Sequence, residues 1–209
     1  MRTIDRLERV EITSRAEWRR WLAVRHDRPE GVWVVSYKKT SGGPYVGYDA
    51  LVEEALCYGW IDSLPRRLDE KRTMLLFTPR RPGSEWSRLN KQRIERLLAE
   101  GLIEPPGMEK IERAKKDGSW SRLDPRETAK MPRDLSAALR ANPLAKRHFD
   151  AFSPGVRKGI IWWVLTAKQQ TTRLRRIAET VRLAAENRKA NHPEDRAEGP
   201  RTPRKTTPK

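Results

Sequence analysis

Residues 55–79 read ALCYGWIDSLPRRLDEKRTMLLFTP, and in this stretch one helix must end and a hairpin must begin. From Asp49 to Tyr58 the side chains Leu51, Ala55 and Tyr58 fall on one helical face, with Val52 and Leu56 beside them. Asp49 is the expected N-cap and Gly59 the expected C-terminal stop. Cys57 then lies in the last turn of an apolar helix, where a small buried thiol is the usual occupant. Residues 60–68 and 72–79 follow as two strands joined by a charged turn. Pro65 marks the first as an edge strand or as bulged there. Alternation points Trp60, Asp62 and Leu64 one way and Ile61 and Ser63 the other.

Working outward, VWVVSYKK (32–39) is β-branched and aromatic on both faces at its start, as an inner strand requires. Before it, Ser14 and Glu17 form a capping box for a helix carrying Trp18, Trp21 and Leu22 on one face, ended by Pro29 and Gly31. After the hairpin, Ser84 or Ser87 caps a helix with Leu89, Ile94, Leu97 and Leu98 at helical spacing and Arg93 as the polar exception. Gly101 stops it. A second short helix carries prolines in its first turn and Gly118 at its end. Trp120 anchors a connector. Residues 133–151 hold one or two short helices broken near Pro143. Ser153 and Pro154 open a helix whose residues 160–165 are apolar nearly all round, which predicts central burial. The last helix carries a stripe of Leu174, Ile177, Ala178, Val181 and Ala185, with Arg175, Glu179, Arg182 and Glu186 paired on its other side.

The expected fold is α+β. A small antiparallel sheet of residues 32–39, 60–68 and 72–79, covered by helices, occupies residues 1–125. A C-terminal helical region spans 130–190. Residues 191–209, proline-rich and charged, are expected to be disordered.

Composition narrows the function classes. The 209 residues are 36% hydrophobic and 35% charged, with eight tryptophans supplying buried area. No apolar run approaches a membrane span, and the N-terminus lacks the apolar core of a secretory signal. A single cysteine rules out an intramolecular disulfide and fits a reducing cytoplasm. The net charge is +17, of which only +2 falls in residues 191–209. The body is itself basic, which favours an anionic partner or an acidic protein face, and equally fits a solvated mixed-charge surface.

Two long stretches resemble a known family. EEALCYGWIDSLPRRLDEKRTMLLFTPRRPGSEWSRLNKQRIERLLAEGLIEPPGMEKIERAKKDGSW (53–120) and PRDLSAALRANPLAKRHFDAFSPGVRKGIIWWVLTAKQQTTRLRRIAETVRLAAENRKAN (132–191) are similar to the bacterial YdeI/OmpD-associated, or bacteriocin-protection, family. The resemblance implies a stress or resistance protein linked to bacteriocins or cationic antimicrobial peptides, working by binding a partner. It brings no catalytic residues with it. A chain at +17 repels cationic peptides at long range, so charge attraction is not the route of protection.

Three histidines, His26, His148 and His192, lack metal-ligand spacing, and no phosphate loop or nucleophile elbow appears. No metal or cofactor is expected. The candidate ligand cleft is Trp60, Asp62, Arg80, Trp86, Asn90 and Lys91, if the hairpin packs beside the following helix. There Arg80 and Lys91 would hold an anionic group and Asp62 would stay ionised. The competing reading makes the tryptophans core and Asp62–Arg80 a cross-strand ion pair. A second site reading groups Arg66, Arg67, Arg80 and Arg81 as a nucleic-acid-binding hairpin with a tryptophan as stacking surface. A third makes the chain an enzyme acting on a small anionic ligand.

Overall fold

The hairpin at residues 60–79 forms the centre and one edge of a four-stranded sheet. The computed structural model describes residues 3–192. Its strands are β1 (Arg9–Glu11), β2 (Val32–Tyr37), β3 (Trp60–Arg67) and β4 (Arg72–Pro79), in the order β1-β2-β4-β3. The pairs β2–β4 and β3–β4 are antiparallel, but β1 runs parallel to β2. The three expected strands pair antiparallel as anticipated, and the unexpected fourth, β1, makes the sheet mixed. β1 has three residues and one apolar side chain, too short for a period-two pattern to register. Its pairing continues at both ends, where Trp33 N–H donates to Glu8 O and Ile12 N–H to Val35 O, each at 2.9 Å. β3 is an edge strand, and its register shifts between Asp62 and Pro65. A proline is tolerated in both situations, because its missing N–H breaks no ladder bond there.

Alternation along the strands sends Val32, Val34, Leu75 and Phe77 to one face and Trp33, Val35, Met74 and Leu76 to the other. The first face is covered by α1 (Arg15–Arg25), α2 (Tyr48–Cys57), α3 (Arg88–Ala99) and α4 (Pro105–Lys116). The second carries a small cluster with Ile4, Leu7 and Leu68 packed against it.

Local chemistry sets the helix ends. Ser14 caps α1 by accepting from Glu17 N–H at 3.1 Å, and the Glu17 carboxylate accepts from Thr13 N–H at 2.8 Å. α2 is capped two residues earlier than expected. Gly47 occupies its cap position without a side-chain bond, and Asp49, expected as the cap, sits in the first turn and pairs with Arg93 of α3. Arg93, the polar exception on α3, also donates to Asn90 Oδ1 at 2.8 Å, which lets it be buried. Ser87, rather than Ser84, caps α3. Gly59 closes α2 at φ +74°, a left-handed conformation that favours glycine.

The chain divides into two compact units, the first ending at Asp124 and the second starting at Pro125. The boundary lies in the short α5 (Asp124–Glu127). The second unit is helical: α6 (Arg133–Arg140), α7 (Pro143–Ala151), α8 (Pro154–Leu165) and α9 (Gln170–Ala185). Leu135, Leu139, Phe149, Ile160, Val164 and Leu183 are part of its core.

Two expectations in this unit are corrected. On α8 only Ile160, Ile161 and Val164 are buried, while Trp162 and Trp163 are half-buried and Leu165 is exposed. The Trp163 ring packs at the margin of the core and also meets a cation, with the Arg176 guanidinium 5.0 Å from its centroid. On α9 the buried residues are Ile177, Thr180, Leu183 and Ala184, and Leu174 is 54% exposed. Ile177 stays on the buried face with Val181 and Ala185 packed at its margin, and Thr180 can face inward because its hydroxyl donates to Arg176 O at 2.8 Å. Arg173 also reaches Asp134 at 2.7 Å. Of the four charges expected to pair on α9, Arg182 and Glu186 do so, at 3.0 Å. The disorder expected beyond residue 191 falls, from 193 on, outside the described residues.

Candidate functional site

The helical cover of the sheet ends before the sheet does. Beyond Val34 and Leu75 the covered face continues as Ser36 and Thr73, which oppose each other in register. There a groove of about 350 Å³ opens. The loop after β2 contributes Tyr45 and Val46 to it, the start of α2 contributes Tyr48 and Leu51, and the bulge of β3 contributes Asp62 and Pro65. Tyr37 joins the lining from the end of β2. Its ring lies so close to the loop that a Cβ on Gly43 would come within 2.3 Å of it. A glycine is therefore required for the loop to close on this tyrosine.

The polar groups of the groove are few. Tyr48 OH donates to Asp62 Oδ2 at 2.8 Å. Partial burial and then this carboxylate push the phenol up to about 12, because ionisation would set two negative charges side by side. Ser36 supplies a largely buried hydroxyl. Lys38 lines the rim, but its ammonium donates to the carbonyls of Asp69 and Glu70, each at 2.9 Å. What remains is an aromatic and aliphatic cleft with one carboxylate acceptor, suited to an apolar body bearing a hydrogen-bond donor.

The six residues expected to surround one cleft are not brought together. Asp62 lines the tyrosine groove, whereas Arg80 and Trp86 line a separate recess. Trp60 is fully buried, its indole N–H donating to His26 O at 2.9 Å. Trp86 is 1% exposed and packs on Trp120 with centroids 5.0 Å apart. Asn90 is spent on Arg93 and on the Ser87 cap, and Lys91 pairs with Asp124. The tryptophans are core, as the competing reading held. Its cross-strand pair is absent among the described residues, since Asp62 binds Tyr48 and Arg80 stacks on Trp86 with its guanidinium carbon 3.5 Å from the ring centroid.

The arginine hairpin is dispersed in the same way. Arg66 pairs with Asp5 at 2.7 Å and lies over Trp33, and Arg80 is 5% exposed. Only Arg67 and Arg81 of the four are exposed. Cys57 is buried, and burial first, then the Glu54 carboxylate, push its thiol up to about 11. His26 sits against the carbonyls ending α1, and His148 contacts Ala184 O at 2.8 Å. Among the described residues no cluster of three His, Cys, Asp or Glu forms a metal site. Among the described residues no helix is long and apolar enough to cross a membrane.

Sequence reading missed the tyrosines. The signal was present, because three of the four tyrosines fall in YKKTSGGPYVGY (37–48), on either side of a glycine-rich loop. The second unit has its own wider recess of about 660 Å³, lined in part by Gly155, Gly159, Trp162 and Trp163.

The chain is thus an α+β unit carrying a groove of about 350 Å³, followed by a helical unit. Residues 128–187 match the model of the family described as bacteriocin-protection, YdeI or OmpD-associated. Residues 10–110 match that of a domain of unknown function, DUF8412. The family assignment is thus supported on the C-terminal helices, and the groove lies in the part matched by the second model. No curated protein and no solved structure matches the chain.

Proposed function

We propose that this is a non-catalytic binding protein whose tyrosine groove is the ligand site, acting in protection against bacteriocins or cationic antimicrobial peptides. The observation that carries the reading is the uncovered end of the sheet face, where Tyr37, Tyr45, Tyr48 and Leu51 meet a single hydrogen-bonded carboxylate. Tyrosine faces beside Asp62 suit a ligand with an apolar or aromatic body and a donor head, and a cationic head gains from both the rings and the carboxylate. The match of residues 128–187 supports the protective setting. Long-range charge works against a cationic ligand, so recognition is local, through burial and Asp62.

Calorimetry tests this with phenethylammonium and 3-phenylpropionate, which share a body and differ in head. The ammonium binds the wild type, binds the Asp62→Asn protein more weakly, and is preferred over the carboxylate. Equal binding of the two probes, or indifference to Asp62→Asn, overturns the reading. In cells, a bacteriocin-sensitivity defect on deletion is restored by the wild-type gene and not by the Asp62→Asn form. The nucleic-acid alternative retains Arg67 and Arg81 as exposed cations, and a steep loss of DNA or RNA binding between low and moderate salt would favour it.

A further inference from the structure

Among the described residues two fully buried side-chain atoms lack a hydrogen-bond partner, Arg80 Nε and Ser119 Oγ. Both residues line one recess, between the turn after β4 and the loop after α4. Arg80 is 5% exposed and Ser119 1% exposed. Folded proteins leave few such atoms, and a pair in one place marks a missing partner.

Arg80 is unusual in its surroundings. Nη1 donates to Glu85 O at 3.2 Å, and the guanidinium stacks on Trp86, but no carboxylate pairs with it among the described residues. Burial pushes its pKa down to about 10, opposed only by the charge of Asp62, so it stays protonated at neutral pH. An unpaired buried cation is destabilising unless an anion completes it.

The other charged residues of the lining are mostly basic. Arg81, Lys110 and Arg113 border the recess, and of these Arg113 is paired, with Glu109 at 2.5 Å. Asp117 is the one carboxylate in the lining. It accepts from Ser119 N–H at 2.8 Å, and the Ser119 hydroxyl first, then this N–H, hold its pKa below the ordinary carboxylate value. The Ser119 hydroxyl is close enough to Asp117 to favour its ionised form but lies outside hydrogen-bonding geometry with it, so its proton can turn to an acceptor in the recess. The enclosed space is about 10 Å³, room for about one oxygen atom.

We propose that this recess binds a phosphate group, one of whose oxygens enters to accept from Arg80 and Ser119 while the others face Lys110 and Arg81. Arginine with a hydroxyl and a lysine is a suitable donor set for a phosphate, and the negative charge completes the buried guanidinium. The site is separate from the tyrosine groove and independent of what that groove binds.

The test uses the full chain, labelled with ¹⁵N and titrated with inorganic phosphate at constant ionic strength. The expected result is a saturable shift of the Arg80 Nε–H and Ser119 amide signals that chloride does not produce. Lys110→Gln and Ser119→Ala, which leave Arg80 and its stacking in place, each weaken binding by about tenfold. A phosphomonoester, glycerol phosphate, is run beside it. Tighter binding of the ester assigns the site to phosphorylated metabolites, and equal binding assigns it to inorganic phosphate. The proposal is overturned if phosphate gives no saturable shift at Arg80, or if both variants bind as the wild type does. In that case a water molecule fills the recess.

Discussion

Gly107 allows α4 to lie directly on the end of α2. A Cβ placed on it would fall 2.2 Å from Cys57 O and 2.8 Å from the Cys57 carbonyl carbon, both backbone atoms that cannot rotate away. Gly107→Ala therefore destabilises the first unit by about 1–3 kcal/mol, the range of overpacked cores, read as a lower urea midpoint. Tyr48 carries a different signature. Its folded pKa of about 12 lies above the ordinary 10, through burial and then Asp62. A raised pKa means that the neutral phenol is favoured in the folded state. The stabilisation is complete below pH 10 and is lost as pH rises through 12. An ultraviolet titration shows Tyr48 ionising near pH 12, identified against Tyr58, which burial also raises, by its loss in Tyr48→Phe; Asp62→Asn lowers the Tyr48 value part of the way toward 10, since burial remains. No change on Asp62→Asn would break the proposed link between the two side chains.

At the level of elements, α2 is held by acids that no apolar pattern reveals. Glu54, with a side chain 4% exposed, accepts from Arg15 at 2.5 Å and from Arg19 at 2.8 Å. Glu53 accepts from Arg15 at 3.2 Å and pairs with Arg96 of α3. Glu54→Gln removes the charge from two of these bonds at a buried site and is expected to cost about 1.5–3 kcal/mol, measured by urea unfolding. The outline of the elements was legible because it rests on local chemistry. The Ser14 box, Gly59, Pro65 and the Asn142–Pro143 break each act within a few residues. Elements decided by distant partners were not legible. Asp49 looks like a cap until Arg93 arrives from α3, and β1 is a strand only because β2 offers it an edge. The candidate site failed for the same reason. Asp62 and Arg80 are close in sequence pattern, yet the edge bulge turns Asp62 to the tyrosines while Arg80 stacks on Trp86. The groove itself depends on where helical cover stops, which no single segment encodes.

Among the described residues the buried apolar side chains form separate main cores in the two units, one around Trp18, Phe77 and Leu97, with the smaller cluster around Trp33 on the other sheet face, and one around Leu139 and Phe149. Two cores predict two separable unfolding events. Leu139→Ala, at about 2–5 kcal/mol, lowers amide-exchange protection in the second unit and leaves that of the first unchanged; Leu97→Ala does the reverse. A uniform loss across both would show that they unfold as one. The net charge of +17 is spread over a surface in which many arginines are already paired, so it describes solubility and long-range steering more than a binding footprint. The groove is the proposed ligand site, and its location is the central claim. The most direct measurement is an amide chemical-shift map of the full chain titrated with phenethylammonium. The account predicts shifts confined to residues 36–48, the Asp62–Pro65 bulge and Thr73–Leu75, abolished in Tyr48→Phe combined with Asp62→Asn. Shifts centred on the second unit, or none at saturating probe, would contradict it.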